Sequence, residues 1–130
     1  MTEFSAAADN RRRNFRVPIQ MDSFVYPVDG SWKGRRSIQT VDLSCSGVSF
    51  CTTPGLEIGD TVEIVLPMTA APLIVPIELL RREELEENSI YYAANFIQLQ
   101  PEAEQMICQA VFDIQRQERL TRSNTGEMED

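Results

Sequence analysis

The chain has 130 residues, 42 % of them hydrophobic and 25 % charged, which fits one soluble domain with a single core. Twelve basic residues against twenty acidic ones give a net charge of −8. The chain has no histidine, so it lacks the commonest general base and the commonest metal ligand. No membrane insertion is expected, because the longest apolar stretch, Met68 to Leu80, is broken by Pro72, Pro76 and Glu78, short of the roughly 20 residues a span needs.

Residues 1–10 are small and polar and read as a flexible tail, with no basic segment and apolar core of the kind a signal peptide carries. Arg11, Arg12, Arg13 and Arg16 follow, four of the twelve basic charges, and without them the remainder stands at −12. One basic cluster on an acidic body suits capture of a small anion, and it does not suit the broad basic face that DNA or RNA requires. Pro18 biases Val17 away from helix, so residues 11–18 are expected to be extended. Arg12, Asn14 and Arg16 then share one side, and Phe15 and Val17 face the core.

Six short strands are predicted next: Ser23 to Val28, Arg35 to Leu43, Val48 to Thr52, Thr61 to Leu66, Leu73 to Arg82 and Ile90 to Ile97. Asp29-Gly30 marks a hairpin turn, with Trp32 half-buried beyond it, and Glu83 to Ser89 reads as a charged, solvated turn. Ile38, Val41 and Leu43 are the apolar positions of the second strand. Pro72 and Pro76 suggest an edge or a bulge. The hydrophobic period then changes. Ala103, Ile107, Ala110, Val111 and Ile114 make one face of a helix over 101–119, with Glu102 and Glu104 near its positive end. Residues 121–130 read as an acidic disordered tail. The fold class is all-β with one C-terminal helix: a small antiparallel barrel or sandwich over 11–120.

Cys45, Cys51 and Cys108 have no metal-ligand spacing, no metal is expected, and reduced thiols in a cytoplasmic protein are the reading. Cys45 has no resolving partner nearby in sequence. Phe112 and Leu120 fall off the helix stripe and suggest a second apolar surface, for a partner or a second copy.

Two patterns carry chemistry. In Arg11-Arg12-x-x-x-Arg16, planar guanidinium groups can fork onto phosphate, lie flat on a base, or donate to guanine O6 and N7. The competing reading is a solvated basic tail. In Asp42-x-Ser44-x-x-Gly47, the carboxylate can accept from guanine N1–H and N2–H₂, the serine hydroxyl can share its face, and Gly47 permits a positive φ or a close backbone approach. The competing reading is a turn that merely closes a hairpin. No nucleophile–base pair or phosphate-cradling loop points to an enzyme.

In order and spacing, the two patterns resemble the PilZ domain family, receptors for cyclic di-GMP marked by RxxxR and then [D/N]xSxxG. Arg12 and Arg16 match the first motif, with Arg11 as the preceding arginine, and Asp42, Ser44 and Gly47 match the second. Gly59-Asp60-Thr61-Val62 and Tyr92 to Phe96 extend the similarity, so that it runs from about Arg11 to Arg119. The resemblance implies a six-stranded antiparallel β-barrel of the split-barrel type, with residues 11–18 as a leader that folds over the ligand. It implies that Arg11, Arg12 and Arg16 bind phosphates and guanine faces, with Arg13 able to trade roles among them. Asp42, Ser44 and Gly47 would line a guanine edge, and Arg81 or Arg82 would stack on the ligand. Cyclic di-GMP is then the expected ligand, and an effector protein for motility or surface polysaccharide the expected partner of a monomer or homodimer. A barrel that docks proteins without binding nucleotide is the alternative.

Overall fold

The structure is a computed structural model. It describes residues 15–29 and 32–129, without the side chains at 32 and 121–129. The expected tail over 1–10, Arg11, Arg12, Arg13, Gly30 and the Trp32 side chain therefore lie outside the described residues.

Alternation of apolar and polar residues produces the strands β1 (Val17–Pro18), β2 (Asp22–Pro27), β3 (Arg36–Leu43), β4 (Gly47–Thr52), β5 (Thr61–Leu66), β6 (Leu73–Glu84) and β7 (Ile90–Phe96), followed by the helix α1 (Pro101–Glu129). All pairings are antiparallel. The order β3-β2-β5-β6-β7-β4, with β4 returning to β3, closes a six-stranded barrel. Closure removes the exposed edges that an open sheet would present.

β1 is not a seventh stave. It pairs with the end of β3 through Val17–Leu43 and Pro18–Asp42, on the side where β2 pairs with the start of β3. Ile19 N to Val41 O and Thr40 N to Met21 O, both 2.9 Å, bridge the interval. β1 and β2 thus run as one interrupted line along β3, and this lays residue 16 against the barrel wall.

The inward positions form one core. Val62, Ile64 and Leu66 of β5 share the core with Val75, Ile77 and Leu79 of β6, and Val48, Phe50 and Tyr92 are fully enclosed. Tyr92 is buried at no polar cost because its hydroxyl donates to Leu56 O at 2.6 Å. The predicted helix face is the observed one: Ile107, Ala110 and Val111 are buried in this core, with Ala103 and Ile114 packed against it. Burial of side chains such as Ile107 and Val111 stabilises by about 1.5–3 kcal/mol each.

Several expectations are corrected. α1 continues to Glu129, past the predicted end at 119 and through residues read as a disordered tail. No proline interrupts 120–129, and residues added to an existing helix need no new nucleation. Phe15 is 42 % exposed rather than facing the core. Val41 is exposed because the β3–β4 register shifts between Thr40 and Asp42, turning this extra residue outward. The prolines do not mark an edge. Pro76 pairs with Glu63 just before the β6–β7 ladder begins at Ile77–Phe96, and the bulge in β6 lies later, between Leu79 and Arg81. Cys45 and Cys108 are joined as a disulfide, which leaves Cys51 as the free cysteine. Sequence distance hid this pair: the two lie 63 positions apart, and only the docking of α1 brings them together.

Candidate functional site

Antiparallel register aligns Pro18, Asp42, Ser49, Ala93 and Arg81 in one row across β1, β3, β4, β7 and β6. The row lies on the outer face, since Val48, Phe50, Tyr92 and Ala94, their alternate neighbours, point into the core. The bulges in β3 and β6 fall on this row. Bulges bend a strand and re-aim its side chains, and here Leu80 and Arg81 both turn outward.

Arg16, Asp42, Leu80, Arg81, Tyr91 and Ala93 line a shallow depression of about 410 Å³ on this wall. Arg16 Nη1 donates to Asp42 Oδ1 at 2.8 Å, with the arginine side chain 49 % exposed and the carboxylate 23 %. Ser49, fully buried, donates from Oγ to the same Oδ1 at 2.8 Å, and Asp42 N donates to Ser49 Oγ at 3.1 Å. The carboxylate is therefore fixed from below by Ser49 and capped from the solvent side by Arg16. Oδ2 has no hydrogen-bond partner among the described residues. The Arg81 guanidinium lies over the Tyr91 ring, 5.7 Å from its centroid, and both side chains line the depression.

Two guanidinium groups against one carboxylate give this depression a positive balance within an acidic chain. A larger groove, about 610 Å³, runs between α1 and the β5–β6 turn, but Glu102 and Asp113 line it and no basic residue does. That groove is the larger of the two, but charge favours the smaller one for an anion.

The remaining predicted residues have other places. Ser44 is 1 % exposed, and its hydroxyl serves the turn: Gly47 N donates to it at 3.1 Å and Ser46 N at 3.3 Å, while Ser44 N donates to Gly47 O at 2.9 Å. It does not share the open face of Asp42, because the chain leaves β3 between the two. Gly47 is buried and is not among the positive-φ residues. Its need for glycine is a close approach to β7: a Cβ here would run into the Ala94 carbonyl oxygen. The second motif thus divides into one exposed acceptor, Asp42, and a turn that positions it. Arg82 pairs with Glu84 Oε1 at 3.4 Å, away from the depression. Ser49, Leu80 and Tyr91 were not singled out from the sequence. Ser49 could have been found as the outward residue between inward Val48 and Phe50, two places after Gly47.

Among the described residues no group of three His, Cys, Asp or Glu side chains could hold a metal ion, and no helix is long and apolar enough to cross a membrane.

The family model for the PilZ domain matches residues 10–113. Solved structures share the fold at low identity. The PilZ domain with c-di-GMP of YcgR from Escherichia coli is 18 % identical at TM-score 0.65, covering 87 % of this chain and 98 % of that one. YcgR from E. coli in complex with c-di-GMP is 19 % identical at TM-score 0.69, with 88 % of this chain and 50 % of that chain covered. The Bacillus subtilis inhibitor of motility, MotI/DgrA, is 11 % identical at TM-score 0.66, with 82 % and 52 % covered. The chain thus spans about half the length of the latter two. No curated protein matches it in sequence.

Proposed function

The chain belongs to the PilZ domain family, and on that premise we propose that it is a cytoplasmic receptor for cyclic di-GMP. The observation that supports this most is the Arg16–Asp42 pair set beside Arg81 in a depression with a cationic balance. The dinucleotide carries two phosphates and two guanines, and the site offers a group for each kind of contact. Arg16 forks onto phosphate or the guanine face. Asp42 accepts from the guanine N1–H and N2–H₂ edge. Arg81, backed by Tyr91, stacks on a base. Arg11 and Arg12 extend the cationic reach from the leader. Ser44 and Gly47 act by shaping the turn behind Asp42.

Binding exchanges partners. Arg16 leaves Asp42 for the ligand, and Asp42 turns its acceptors to guanine. A ligand shifts a conformation only by its differential affinity for the two states, and this exchange supplies that difference. The moved leader changes the shape and charge of the wall, which is then read by an effector protein controlling motility, surface polysaccharide or a related output. The chain acts as a receptor rather than as an enzyme.

Calorimetric titration of the full chain with cyclic di-GMP, in parallel with GMP, tests the reading. Saturable heat is expected for the cyclic dinucleotide and much weaker binding for GMP, which has one phosphate and one base. Absence of heat with the cyclic ligand at modest salt would sink the receptor reading and favour a barrel that docks proteins without nucleotide.

A further inference from the structure

We propose that Cys45 and Cys108 form a reversible thiol-oxidation site, whose oxidant is the disulfide of a small thiol and whose oxidised state locks α1 to the turn that follows Asp42. The Cα atoms are 4.8 Å apart, inside the window a disulfide spans without backbone movement. The site joins two elements far apart in sequence, the turn after β3 and α1. Cys45 sits in the turn closed by the Ser44–Gly47 hydrogen bonds and is 4 % exposed. Cys108 lies on α1 next to the buried Ile107 and is itself only partly buried. A small thiol can therefore reach Cys108 while Cys45 stays shielded.

The geometry makes a closed circuit. β1 pairs with Leu43 and Asp42, the chain runs from there into the turn, the disulfide joins the turn to α1, and α1 packs back on β1. Reduction opens one link of the circuit between the turn and α1, while the apolar face of α1 stays packed on the barrel. The barrel core is large enough to fold without a staple, so the link is free to act as a switch.

In oxidation, the Cys108 thiolate attacks one sulfur of the small disulfide, breaking its S–S bond and releasing one thiolate. The Cys45 thiolate then attacks the Cys108 sulfur of the mixed disulfide and releases the second. The protein gives up two electrons and two protons, and the small disulfide is reduced to two thiols. Cys51 takes no part. Burial pushes its thiol pKa up, which keeps its reactive thiolate scarce.

The full chain, free of nucleotide, is equilibrated in buffers of graded reduced and oxidised glutathione, quenched with acid, unfolded, alkylated and weighed. One alkylated cysteine is expected at the oxidising end and three at the reducing end, with a linked Cys45–Cys108 peptide in the former. Hydrogen exchange over residues 103–114 is expected to be at least about tenfold faster in the reduced protein. Cys108→Ser should show two alkylated cysteines at every ratio and the faster exchange throughout. Three alkylations at every ratio, a link that survives the most reducing buffer, or a link through Cys51 would overturn the site. Equal exchange in the two states would overturn the lock. None of these readouts involves nucleotide, so they stand or fall apart from the receptor reading.

Discussion

Arg16 and Asp42 are 26 positions apart in sequence, yet their side chains meet at 2.8 Å on the outer wall of the barrel. The contact follows from register: β1 pairs Pro18 with Asp42 and lays the leader across the end of β3. The first motif thereby reaches the second. The pair is a latch whose two halves are both ligand-binding groups in the proposed function.

Replacing Arg16 tests the latch. Arg16→Ala is expected to weaken cyclic di-GMP binding by at least about tenfold, the scale of one lost charge-assisted contact. Its effect on stability should stay within about 1 kcal/mol, because a half-exposed ion pair contributes little to folding. Calorimetry and thermal melts read the two quantities separately.

The neighbouring arginines of β6 should differ. Arg81 faces the depression over Tyr91, and Arg82 is engaged with Glu84. Arg81→Ala is expected to lower affinity by roughly 3- to 30-fold, the worth of a desolvated cation–π or stacking contact. Arg82→Ala should remain near wild type. Equal losses in the two variants would remove Arg81 from its assigned role.

Ser44→Ala should act on folding more than on binding. Its hydroxyl accepts from Ser46 N and Gly47 N inside the turn. Leaving buried donors unmatched costs about 1–3 kcal/mol, so the denaturant midpoint should fall while the folded fraction still binds ligand. An affinity loss as large as that of Arg16→Ala, with unchanged stability, would show that the hydroxyl touches ligand directly.

Gly47→Ala places a methyl against the Ala94 carbonyl of β7. The strands must separate locally, at a cost of about 1–3 kcal/mol. Urea unfolding should show a lower midpoint with an unchanged slope.

The barrel and its helix were legible in the sequence because they rest on periodicity. Val62, Ile64 and Leu66 alternate, Ile107, Ala110 and Val111 repeat at helical spacing, and both sets are buried in the core. Bulges escape periodicity: one extra residue sends Val41 outward in β3 and turns both Leu80 and Arg81 to the surface in β6, and no residue type there announces it. The motif spacing named Arg16 and Asp42, and the structure brings them together. It could not separate Asp42, which offers an acceptor, from Ser44 and Gly47, which hold the turn. That division depends on where the chain leaves β3. Cys108 was illegible for a related reason, since it acquires its role from a partner that only the tertiary fold supplies.

The central claim is that Asp42 and Arg16 exchange each other for cyclic di-GMP at the depression they share with Arg81. Titrating the full chain with the dinucleotide while following amide and guanidinium resonances tests it most directly. Arg16, Asp42 and Arg81 are predicted to shift together and saturably, with Glu102 and Asp113 in the acidic groove unmoved. Saturable shifts at the acidic groove, with Arg16 and Asp42 silent, would contradict the account.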